Sequence, residues 1–93
     1  MNREEAVQIA EEWLAKFRNE PYAVLVARID AAPLTDEVTL GNKRYQLELV
    51  CAWDSQAEGD VRVMANIDDG GFRAFFPLCR DFIKRSDESF VDE

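Results

Sequence analysis

A chain of 93 residues, 47% of them hydrophobic and ten of them aromatic, is long enough to bury one core and too short for two, so a single domain over residues 1–93 is expected. Nineteen acidic against 11 basic side chains leave a formal charge of −8, and Lys and Arg occur singly or in pairs such as Lys43-Arg44 and Lys84-Arg85, which speaks against nucleic acid, whose binding takes a basic patch. The complete absence of histidine removes the usual general base, the Ser-His and Cys-His nucleophile pairs and the commonest zinc ligand.

From Glu4 to Arg18 the apolar residues Ala6, Ala10, Trp13, Leu14 and Phe17 recur at helical spacing, with Val7 and Ile9 at the flanks. Asn2 is placed to cap this helix, Glu4 and Glu5 suit the positive end of its dipole, and Asn19-Glu20-Pro21 stops it. Tyr22 to Asp30, rich in Val, Ile and Leu, predicts a strand ended by Ala31-Ala32-Pro33. Glu37 to Leu40 predicts a short strand, Gly41-Asn42-Lys43 a turn, and Arg44 to Asp54 a long strand with Tyr45, Leu47, Leu49, Cys51 and Trp53 on one face. Residues 55–59 then form a loop.

The next stretch alternates twice. Val61, Val63, Ala65 and Ile67 share one parity before an Asp69-Gly70 or Gly70-Gly71 turn, and Phe72, Ala74, Phe76 and Leu78 share one parity after it. A two-residue turn at Asp69-Gly70 sets Ile67 opposite Phe72 and Met64 opposite Phe75; the other turn slides the pairing by two and keeps the same face inside. After Pro77, residues 78–83 read as a helical turn or an irregular strand, and residues 85–93 as a polar tail that frays.

The layout is α+β: one N-terminal helix packed on an antiparallel meander of four to five strands. A single helix across one face of a curled sheet resembles the cystatin-like and NTF2-like small α+β domains over the whole chain. The resemblance is one of layout: the cystatin inhibitory signature QxVxG does not occur, the chain is short for the three-helix NTF2-like enzymes, and no functional residue of either family transfers.

Candidate chemistry is thin. Asp68-Asp69 at the hairpin tip serves turn geometry better than Ca²⁺, since Phe72 and Arg73 stand where oxygen ligands would continue. Cys51 shares the inward parity and reads as a small buried hydrophobe, with a Cys51–Cys79 bridge as the alternative. No catalytic residue, metal ligand or cofactor is assigned, and the chain reads as a non-enzyme.

What stands out is the outward sheet face, where Arg62 and Met64 on one strand and Arg73 and Phe75 on the other form an apolar pair with charged neighbours, joined by Val50 and Ala52. These four are the candidate binding residues, with another protein or a second copy as partner. The acidity suits a cytoplasmic protein or one that meets basic proteins; no run reaches the roughly 20 apolar residues of a membrane span, and no membrane partner is expected. The rival expectation is an NTF2-like pocket between helix and sheet, lined by Trp13, Phe17, Tyr45, Trp53, Phe72 and Phe76.

Overall fold

The first helix, α1 (Arg3–Arg18), begins where the Asn2 side chain accepts the Glu5 amide proton at 3.1 Å, and it carries Glu4 and Glu5 in its first turn and Lys16 and Arg18 in its last. A computed structural model describes residues 2–70 and 78–93. Beyond α1 lie a second helix, α2 (Tyr22–Ile29), and four strands, β1 (Leu34–Leu40), β2 (Lys43–Trp53), β3 (Val61–Asp68) and β4 (Leu78–Lys84). The strands pair antiparallel in the order β1-β2-β3-β4, a meander, and the fold is α+β. Among the described residues no helix is long and apolar enough to cross a membrane.

Both helices lie on one face of the sheet, α1 across β3 and β4 and α2 across β2 and β3. The core between the layers holds Ala6, Ile9, Ala10, Trp13, Leu14 and Phe17 from α1 and Leu25 from α2. The sheet answers with the inward parity of β2 and β3, Tyr45, Leu47, Leu49, Cys51, Val61, Val63, Ala65 and Ile67, and with Leu78 and Phe82 from β4. Ile9, expected at the flank of α1, is buried with the rest.

The segment from Tyr22 is a helix, which corrects the expected strand. Its apolar residues Tyr22, Leu25, Val26 and Ile29 also stand at i, i+3, i+4 and i+7, and all four reach the core. β-branched content favours a strand, but burial decides. α1, 16 residues or about 24 Å long, packs on β3 and β4, and the inward side chains of β2 need a second cover. The helix starts with Val24 and Leu25 amides on the Pro21 carbonyl, and the Tyr22 hydroxyl donates to the Gly59 carbonyl at 2.6 Å. β1 starts at Leu34, three residues before the expected Glu37, because Leu34, Asp36, Val38 and Leu40 share the inward parity.

The hairpin register is also corrected. Ile67 pairs with Leu78 and Met64 with Asp81, where an Asp69-Gly70 turn sets Ile67 opposite Phe72 and Met64 opposite Phe75. Parity alone admits this, because every slip by two residues keeps the same side chains inside. The expected partners Phe72, Ala74 and Phe76, and Gly71 of the alternative turn, lie outside the described residues. Residues 78–83 form regular strand. Residues 85–93, expected as a fraying tail, turn back on β4: the Arg85 amide bonds the Ser89 carbonyl at 2.7 Å and the Val91 amide bonds the Ile83 carbonyl at 2.9 Å.

Tyr45 is wholly buried, and its hydroxyl donates to Glu5 Oε1 at 2.5 Å. Burial, then the hydrogen bond and charge of Glu5, pushes the phenol from an ordinary 10 up to about 12. The unfolded chain ionises this group near its ordinary value while the fold keeps it protonated. Its contribution to stability is therefore full below pH 10 and is lost as pH rises towards about 12. In urea unfolding, the stability gap between the wild type and Tyr45→Phe is expected to shrink across that window; a constant gap would contradict the assignment.

Candidate functional site

Side chains that alternate away from the helices make up the open face of the sheet. β2 contributes Arg44, Gln46, Glu48, Val50 and Ala52, β3 contributes Arg62, Met64, Asn66 and Asp68, and β4 contributes Cys79, Asp81 and Ile83. Val50 stands directly opposite Met64, and Ala52 and Ile83 both stand opposite Arg62. An apolar strip thus crosses three strands, half-buried at Val50, Ala52, Met64 and Ile83.

Arg62 is held at the end of that strip. Its Nη2 lies 2.7 Å from Asp54 Oδ1 and its Nε 3.1 Å from the same oxygen, while its Nη1 bonds Asp81 on β4. These hydrogen bonds, the one to Asp54 first, hold the guanidinium firmly charged. Of the four sequence-derived residues the structure brings Arg62 and Met64 onto this face; Arg73 and Phe75 lie outside the described residues. Asp81, not Phe75, stands across from Met64 on β4, which corrects the expected pair and follows from the register of the connection.

On the helix side, a half-open cleft of about 210 Å³ runs between α1 and β1. Ile9 and Trp13 form its wall, Val38 and Leu40 its floor, and Glu12, Lys16 and Asp36 its charged rim. It exists because the helices pack chiefly on β2, β3 and β4 and only loosely on β1, leaving Leu34 40% and Leu40 45% exposed. Sequence reasoning missed it, since β1 reads as a short strand with no marked face. The alternation of Leu34, Val38 and Leu40 was the signal.

Of the six residues expected to line an internal pocket, four are described, and one of them, Trp13, also walls the cleft. Trp13 and Phe17 meet edge to face at 5.5 Å, both buried, Tyr45 is wholly buried on Glu5, and Trp53 is half-buried. Phe72 and Phe76 lie outside the described residues. Cys51 and Cys79 are free thiols on opposite faces of the sheet with β3 between them, so the alternative bridge is not formed. Burial pushes both thiols up, away from nucleophilic thiolate. Among the described residues no three His, Cys, Asp or Glu side chains converge as a metal site would need.

A second charged cluster was hidden in the sequence. Lys84, only 4% exposed, donates its ammonium to the Arg18 carbonyl at 2.9 Å and the Glu20 carbonyl at 2.7 Å, where α1 ends. Glu88 lies 3.4 Å from the same ammonium and accepts the Tyr22 amide at 3.0 Å, where α2 begins. Glu88 holds a left-handed backbone, φ 73°, costing about 1 kcal/mol that these two contacts offset. The Arg18 guanidinium sits over the rings of Phe82 and Phe90, 5.1 Å from each centroid, and bonds Glu93 at 2.6 Å. This cluster joins helix ends to the tail and is structural.

In comparisons with known proteins, no family model, curated protein or solved structure matches this chain.

Proposed function

We propose that the chain is a small non-enzymatic protein-binding module that meets another protein with the open face of its sheet. Arg62 and Met64 are its contact residues on β3, with Arg73 and Phe75 contributed by the segment before β4. The observation that carries this is the apolar strip of Val50, Ala52, Met64 and Ile83, which no described helix covers and which charged side chains frame. Arg62 supports the role because two carboxylates already fix it, so a partner need not order its long side chain on binding. Free thiols and an acidic surface suit a cytoplasmic protein, the setting we assign to it.

The test starts from a partner captured from lysate of the source organism and purified. Met64→Glu with Val50→Glu is expected to weaken that partner by about 30-fold, the loss of about 2 kcal/mol from a central apolar anchor. The milder Met64→Ser should stay folded, with a melting temperature within a few degrees of wild type, and still bind measurably more weakly. Unchanged affinity in either folded variant removes the face from the account.

A further inference from the structure

The two edges of the sheet are finished differently. Along β4 the returning chain closes the edge: Phe90 bridges to Lys84 and the Val91 amide bonds the Ile83 carbonyl. Along β1, seven residues long, no described segment pairs with the outer side. We propose that β1 is a docking edge for an extended, basic segment of another protein, which adds to the sheet as a fifth strand and sets side chains into the cleft beneath α1. This surface is separate from the open face and does not depend on it.

Backbone geometry shows which groups await a partner. Gly41 and Asn42 form a two-residue turn, with Gly41 at φ 62°, so Leu40 and Lys43 are the hydrogen-bonded pair that closes the hairpin. Bonded and non-bonded pairs alternate along an antiparallel ladder, which turns the N–H and C=O of Thr35, Glu37 and Thr39 to the open edge. One local bond agrees with this: the Glu37 amide donates to the Asp36 side chain at 2.8 Å, a bond it would not need in the ladder. Strand addition replaces that bond with a backbone carbonyl and frees the Asp36 carboxylate for the newcomer.

The side chains name the kind of segment. Asp36 on the strand and Glu12 across the cleft offer two carboxylates against the one ammonium of Lys16, while Leu40, Val38 and Trp13 offer apolar contact. A segment alternating apolar residues with Lys or Arg matches that surface and is drawn to a chain of formal charge −8. A second copy fits less well. Antiparallel self-pairing centred on Glu37 opposes two Glu37 carboxylates, centring on Asp36 opposes two Asp36, and centring on Val38 sets Asp36 against Leu40. Each of these also brings together two acidic chains.

The experiment titrates the intact protein with a nine-residue capped peptide alternating valine and lysine, and with its valine-glutamate counterpart, following backbone amide signals by NMR. The basic peptide is expected to shift Thr35, Glu37 and Thr39 and to bind at least about tenfold more tightly than the acidic one, with affinity falling as salt rises from about 0.05 to about 0.5 M. Thr39→Pro removes one outward N–H, no β2 bond and no charge, so it should fold as wild type does and lose the basic peptide by about tenfold or more. The same peptide N-methylated at alternate residues should fail against the unaltered protein, which keeps the test valid should the proline variant not fold. No shift at about 1 mM peptide, equal binding of both peptides, or retained binding by Thr39→Pro or of the N-methylated peptide would overturn the proposal. So would a concentration-dependent dimer, seen by sedimentation, whose contact moves these amides.

Discussion

Lys84→Met is expected to lower the unfolding free energy by about 2–4 kcal/mol, the largest loss expected from any charged side chain among the described residues. Methionine keeps the length and packing of the lysine stem, so the loss isolates the ammonium. In its absence the carbonyls of Arg18 and Glu20 at the negative end of α1 face a buried volume without their donor. Leaving such acceptors unpaired costs more than a typical net hydrogen bond contributes. Glu88 adds less, because its side chain is 53% exposed and well screened; Glu88→Gln, which keeps an acceptor for the Tyr22 amide, should cost under about 1 kcal/mol. Urea unfolding followed by circular dichroism measures both. A loss below about 1 kcal/mol for Lys84→Met would show that water, not the ammonium, satisfies the end of α1.

The second large effect belongs to α2. Leu25 is wholly buried, so Leu25→Ala is expected to cost about 2–4 kcal/mol. Its neighbours discriminate helix from strand. In the helix Val26 packs on the core while Val24 is 42% exposed, so Val26→Ala should cost about 1 kcal/mol and Val24→Ala should lie within about 0.5 kcal/mol of wild type, alanine being the better helix former. A strand would put Val24 and Val26 on one face and give the two substitutions similar costs. Equal losses at Val24 and Val26 would therefore return this segment to a strand.

The same segment shows where sequence and structure part. Tyr22, Leu25, Val26 and Ile29 satisfy helical spacing, yet Val24, Val26 and Ile29 are β-branched and the run is short, so local preference and periodicity disagree and only the uncovered half of the sheet decides. α1 was legible because cap, dipole charges and apolar stripe agree at every turn. β2 and β3 were legible for the same reason, in that parity and turn residues name one face. Register along β3 and β4 was not legible, because a strand that stays apolar on one parity fits its neighbour equally well at every second step.

The sites follow that pattern. Parity alone places Arg62 and Met64 on the open face, where they lie, but of the two carboxylates that grip Arg62, Asp54 follows β2 directly while Asp81 comes from β4, whose placement depends on register. In the sequence Lys84 is only half of the basic pair Lys84-Arg85. Nothing local marks a lysine that will cap a helix more than 60 residues earlier in the chain. The open edge of β1 needed the strand order itself.

In the proposed function the open face, not an internal pocket, meets the partner. Methyl signals of Val50, Met64 and Ile83, recorded by NMR as the purified partner is added, test it most directly. These three are expected to shift or broaden at stoichiometric partner while the methyls of Val24 and Leu25 on the helical side stay in place. Shifts confined to the helical side, with Val50, Met64 and Ile83 unmoved, would contradict it.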